Sequence, residues 1–241
     1  MKRIGIVAAT EGAGAGFVTA ALAVHIVKGE AHRERRLSGS ITVAELGTGG
    51  MYDQLCADQW FRSRQIASYW NCLHNEGRLE RMENPYSGIN WLLRTPGDTS
   101  SDPLERGRAV KMIYSAPGAL GLFDFSSSQS EDLFYLLEDM ECVVAVVDPL
   151  PSRLLRGYER LYRLKMWKKP VCWVVNRCDE RLPAGELKRL LGSGANPVRL
   201  PEIPRRELYA AEYGGVMFAA QPEIRSKLSA GLTQLTEKLC L

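Results

Sequence analysis

Paired cysteines, a long apolar run and an extended basic stripe are all missing from this chain, and each absence closes off a class of function. The six cysteines, Cys56, Cys72, Cys142, Cys172, Cys178 and Cys240, form no CxxC pair. Neither a zinc cage nor a disulfide framework is implied, and reduced thiols in a cytoplasmic protein are expected. No stretch approaches the roughly 20 apolar residues of a membrane span. The opening MKR followed by IGIVAA imitates the charged and apolar regions of a secretion signal, but its apolar part is short and turns into glycines. Basic residues fall in short clusters at 32–36, 165–169 and 205–206, and the formal net charge is only +3. Without a stripe interleaved with aromatics, these read as solvated loops and helix ends, and nucleic acid is not the expected partner.

With 241 residues, 45% of them hydrophobic, the chain can bury a sizeable core, and a single domain over 1–241 is expected. Apolar, β-branched runs recur at 3–9, 41–45, 89–94, 119–125, 142–148, 171–176 and 197–203. Segments of helical period fill the gaps at 17–28, 53–60, 104–114, 129–139, 152–167, 184–190, 207–213 and 222–239. Strands apolar on both faces and separated by helices predict an α/β fold, doubly wound, with a mostly parallel sheet and helices on each side. Pro222 suits a first helical turn, and Leu228, Leu232, Leu235 and Leu239 recur on one face as a core stripe. The segment 60–87, with Trp60, Tyr69 and Trp70, shows no clear strand and is read as an insertion or a partner surface. The stretch 95–102 reads as a capped loop.

The first strand runs into a turn carrying Gly12, Gly14 and Gly16, then into an alanine-rich helix. Such a turn can take positive φ angles and aim backbone N–H groups at an anion, assisted by the positive end of the helix dipole. It can equally serve tight strand-to-helix packing. A phosphate loop of the form GxxxxGK[ST] needs a lysine for the β/γ-phosphates and a hydroxyl for magnesium, yet Gly16 and Phe17 stand there. The dinucleotide pattern GxGxxG fails at its third glycine, where Phe17 falls, and Glu45 lies too far along to be the usual ribose acid. With only His25, His32 and His74, no catalytic arrangement supports a nicotinamide-dependent oxidoreductase, which remains an alternative.

The segment EGAGAGFVTAALA resembles the deviant Walker A loop of MinD/ParA-type ATPases, KGGxGKTT followed by an alanine-rich helix. Later pieces follow in the same order. GALGLFDFSSS is similar to the family's Walker B strand, and the resemblance makes Asp124 the acid that organises magnesium through water. VCWVVNRCD resembles the strand that ends beside the base, which places Asn176 against adenine with Arg177 next to it. LPEIPRRELYAAEYGG resembles the Ile-Pro loop near the base, here Ile203 and Pro204. The resemblance therefore implies a nucleotide site for ATP or ADP, with magnesium, built from Glu11, Gly12, Ala13, Gly14, Ala15, Gly16, Phe17, Val18, Asn176, Arg177, Ile203 and Pro204, with Asp124 as the catalytic acid.

The departures are concentrated in charge. Glu11 stands for the family's first lysine, Gly16 for its second, and Phe17 for the magnesium-binding threonine, while AELGTGG replaces the aspartates after the second strand. A carboxylate about 4 Å from a phosphate charge costs roughly 4 kcal/mol at an effective dielectric near 20. Phosphoryl transfer rests on positioning and charge neutralisation, so hydrolysis is not expected. Arg153, Arg156 and Arg177 are candidate substitutes for the lost positive charge. The first reading is a localisation or assembly scaffold similar to TadZ-type pilus-assembly relatives, binding ATP weakly or not at all. It would form a homodimer in which Glu11 faces an arginine of the other subunit, and bind a further protein partner. The alternative is a working ATPase in partition, division-site positioning or pilus assembly. The final helix lacks the basic tail that would support peripheral membrane attachment.

Overall fold

The computed structural model describes residues 1–30, 41–47, 50–58, 88–94, 106–126, 132–179, 181–182, 184–192 and 194–241. Seven strands form one sheet: β1 (Lys2–Ala8), β2 (Ile41–Glu45), β3 (Ile89–Leu92), β4 (Leu120–Asp124), β5 (Cys142–Val147), β6 (Val171–Cys178) and β7 (Val198–Pro201). They lie in the order β3-β2-β4-β1-β5-β6-β7, and every pairing is parallel. The expected strands all form, and the sheet is wholly parallel among the described residues.

Parallel neighbours need crossover connections, and described helices lie in each of these and after β7. These are α1 (Ala15–Glu30), α2 (Met51–Gln54), α3 (Arg106–Ser115), α4 (Asp132–Leu137), α5 (Pro151–Arg156), α6 (Tyr158–Lys165), α7 (Ala184–Leu191), α8 (Arg205–Tyr213) and α9 (Pro222–Lys238). The helix expected over 152–167 is divided at Gly157, and the one expected from 53 begins at Met51. The readings placed on 60–87 and 95–102 lie outside the described residues.

Strand side chains alternate between two apolar layers, which is why the strands read as continuous hydrophobic runs. On one face Ile4, Ile6, Val144 and Val146 pack with Val18 and Leu22 of α1 and with Ile224, Leu228, Leu232 and Leu235 of α9. On the other, Val7, Val143, Ala145 and Val147 meet Met112 and Ile113 of α3, Leu136 and Leu137 of α4, and Leu161 and Leu164 of α6. The leucine stripe of the last helix is thus core, as its spacing predicts. No helix among the described residues is long and apolar enough to cross a membrane.

The strands place β2, β4, β1, β5 and β6 side by side with their C-terminal ends at one edge. Register sets Ile6 and Glu45 on either side of Asp124. In open parallel sheets this carboxyl edge is where ligands bind.

Candidate functional site

The turn after β1 takes the conformation its glycines allow: φ is +66° at Gly12 and +80° at Gly14. Ala13 donates its N–H to the Thr10 carbonyl at 3.2 Å, closing the turn, and the first bond of α1 runs from Val18 N–H to the Gly14 carbonyl at 3.0 Å. The N–H groups of Ala15, Gly16 and Phe17 precede that ladder, so the helix start keeps donors for an anion. Ala13, Ala15 and Val18 are buried in the core, Gly14, Gly16 and Phe17 are half-buried, and Glu11 and Gly12 are exposed.

Side chains from β6, from the end of β5 and from the helices that follow it hold this turn. Asn176, 3% exposed, donates from Nδ2 to the Ala13 carbonyl at 2.8 Å. A Cβ on Gly14 would lie 2.7 Å from that same Nδ2, so glycine is needed there for packing as well as for its φ. Asp148, at the end of β5, accepts Arg153 Nη1 at 2.8 Å and Arg177 Nη1 at 3.0 Å on one oxygen. The same two nitrogens donate to the Gly12 carbonyl, at 3.2 Å and 2.9 Å. The other Asp148 oxygen accepts Leu150 N–H, and Asp148 N–H donates to Thr10 Oγ1. Arg160 Nη1 reaches the Ala8 carbonyl at 2.9 Å. Arg156 is exposed and stands apart from this network.

An acidic pair borders the turn on its other side. Asp124 is 1% exposed; its Oδ1 accepts Ser126 N–H at 2.8 Å, and its Oδ2 is buried without a partner among the described residues. A Cβ on Gly16 would sit 3.2 Å from that Oδ2. Burial, then the neighbouring Glu45 carboxylate, pushes Asp124 up to about 7. Glu45 is raised as well, chiefly by burial, although Oε1 accepts Met51 N–H at 2.8 Å and Oε2 accepts Arg94 N–H at 3.1 Å. With both oxygens engaged by backbone, Glu45 is not disposed to hold a ribose hydroxyl.

Phe17 turns to the core: its ring stacks on Phe218 with centroids 4.2 Å apart. Ile203 is buried in the same apolar layer as Ala13 and Ala15, and Pro204 caps the start of α8. The structure therefore gathers the glycine turn, Asp124, Asn176 and Arg177 at one edge of the sheet. Sequence reading missed Thr10 and Asp148, whose parts depend on strand neighbours, and took Arg153 only as a candidate among several. Nothing short of the sheet order signals them.

A magnesium triphosphate fits these residues poorly. The orphaned Asp124 oxygen and the helix N–H groups suit a cation and an anion separately, but neither an ammonium nor a hydroxyl stands at positions 16 and 17. No metal-holding group of three or more His, Cys, Asp or Glu occurs among the described residues.

No protein-family model and no curated protein matches the chain. Solved structures do. MinD in the MinC:MinD cell division complex of Aquifex aeolicus superposes with a TM-score of 0.73 at 15% identity, covering 98% of this chain and 96% of that one. A ParA family ATPase from Chlorobium tepidum gives 0.70 at 15% identity, over 96% and 98%. The septum site-determining protein MinD from Pyrococcus horikoshii, complexed with Mg-ADP, gives 0.70 at 15% identity, over 100% and 98%. The chain has a MinD/ParA-type, P-loop NTPase-like α/β fold.

Proposed function

We propose that the chain uses this MinD/ParA-type fold as a localisation or assembly scaffold, of the kind TadZ-like proteins provide in pilus assembly, with a degenerate nucleotide site that does not hydrolyse ATP. One observation carries the reading. At the two positions where phosphoryl transfer needs an ammonium and a hydroxyl, the chain has a glycine pressed against a buried acid and a phenylalanine stacked into the core. Arg153 and Arg177 lie near the turn, but they are engaged by Asp148 and the Gly12 carbonyl and act as its buttress.

The backbone donors of α1 still favour an anion, so weak binding of ATP or ADP accompanies this reading. The Mg-ADP complex of the Pyrococcus MinD and the MinC complex of the Aquifex MinD support, by likeness of fold, a nucleotide and a protein partner for this chain. A cytoplasmic homodimer is the form proposed, with exposed Glu11 facing an arginine of the second copy.

Titration of the purified chain with ATP, ADP and NAD, with and without magnesium, tests the reading. ATP binding in the micromolar range or weaker without phosphate release is expected. Turnover that is lost in Asp124→Ala would overturn it in favour of a working ATPase. That second reading is favoured by the Asp124 oxygen that has no partner among the described residues beside the turn.

A further inference from the structure

At the opposite edge of the sheet from the glycine turn, two sulfurs meet. Cys142 opens β5 and Cys172 is the second residue of β6. Register pairs Cys172 with Val144, so Cys142 is its diagonal neighbour on the same face, and the Sγ atoms lie 3.9 Å apart. Cys142 is buried and Cys172 is half-buried.

The surroundings of the two thiols divide their roles. Lys2 of β1 and Lys238 of α9 bring ammonium groups toward Cys172, and both are anchored: Lys2 Nζ donates to the Leu239 carbonyl at 2.5 Å and Lys238 Nζ to the Asn196 carbonyl at 2.8 Å. The hydrogen bond with Cys142, then Lys238 and Lys2, hold the Cys172 thiol below the ordinary thiol range against the opposing effect of its burial. The same hydrogen bond and burial raise the Cys142 thiol, which keeps its proton. A part-accessible thiolate beside a second thiol is the arrangement in which oxidation is selective and reversible.

We propose that Cys172 is an oxidation site for hydroperoxides, with Cys142 as the resolving thiol. The Cys172 thiolate attacks one peroxide oxygen; an S–O bond forms, the O–O bond breaks, and the departing oxygen takes up a proton to leave as water or an alcohol. Cys142 Sγ then attacks the sulfenic sulfur; an S–S bond forms, the S–O bond breaks, and the hydroxyl leaves with the Cys142 proton as water. The two sulfurs give up two electrons and the peroxide takes them. The two sulfurs must close from 3.9 Å to the roughly 2 Å of a disulfide bond, so the strand ends draw together as the bond forms.

The site is independent of the nucleotide reading and is tested apart from it. The reduced full-length chain is treated with one equivalent of hydrogen peroxide, then alkylated and mapped by mass spectrometry. A Cys142–Cys172 linked peptide is expected, reversible by dithiothreitol, with Cys172 consumed before exposed Cys240. In Cys142→Ser, whose hydroxyl still donates to Cys172 but cannot form a disulfide, the product stops at a sulfenic acid on Cys172, trapped as a dimedone adduct; circular dichroism checks that this chain folds, and Cys142→Ala serves if it does not. Cys240 reacting first, an absent dimedone adduct in the folded variant, or Cys172 oxidation without the linked peptide overturns the proposal.

Discussion

Asp124 sits where a carboxylate is least comfortable: almost fully buried, register-paired with Glu45, and with one oxygen unpartnered among the described residues. Its native value of about 7 lies above the unfolded value near 4, so between those limits the folded state holds the extra proton. Stability therefore falls as pH rises from about 4 to about 7, and the full cost, on the order of 4 kcal/mol, is present above that. Asp124→Asn keeps the shape without the charge. Urea unfolding at pH 5 and pH 8 is expected to show a smaller loss for the variant than for the parent; equal losses would refute the assignment. Gly14 makes a second prediction at this scale. Its φ of +80° and the 2.7 Å approach of Asn176 Nδ2 to an added Cβ mean that Gly14→Ala costs about 2 kcal/mol. Asn176→Ala removes the clash and one hydrogen bond, so the double variant should lose less than the sum of the two singles. Strict additivity in denaturant melts would separate the two residues.

Elements differ in how far the chain announces them. The seven strands are legible because each is buried on both faces, which forces uninterrupted apolar runs such as Val143 to Val147, and α9 is legible from its leucine stripe and Pro222. The break between α5 and α6 is not, because its cause lies in another element. A Cβ on Gly157 would come within 2.6 Å of the Ala9 carbonyl and 2.9 Å of Thr10 Cγ2, so the chain must present a glycine where the two helices cross the end of β1. Gly157→Ala is accordingly expected to destabilise by about 2 kcal/mol although φ at that residue is an ordinary −86°. An unchanged denaturation midpoint would show that the helices can move aside. The site follows the same pattern. The glycine turn, Asp124 and Asn176 can be read locally. The Asp148 clamp, the Glu45 pairing and the Cys142–Cys172 contact cannot, since strand order and register create them.

For the whole molecule, the question is whether two copies associate without a nucleotide to join them. The formal net charge of +3 on 241 residues imposes only weak repulsion between copies, so local charge decides. Glu11 is exposed at the tip of the turn, and the Arg153 and Arg177 side chains beside it are 36% and 43% exposed. Both arginines already share Asp148, which leaves their positive charge in excess of that one carboxylate. In the homodimer proposed above, a second copy presenting Glu11 would supply the missing negative charge, and two-fold symmetry would supply it twice. Because this contact does not depend on a phosphate, the proposed dimer is expected to be constitutive. Sedimentation should give the same dimer with and without ATP, weakened as salt rises because the contacts are charged and exposed. Glu11→Lys places like charges opposite each other and should shift the chain toward monomer, while Glu11→Gln should weaken it less. A parent chain that sediments as a monomer at every concentration, or a dimer that appears only with ATP, would sink this arrangement, and the second outcome would return the turn to the role its glycines first suggest.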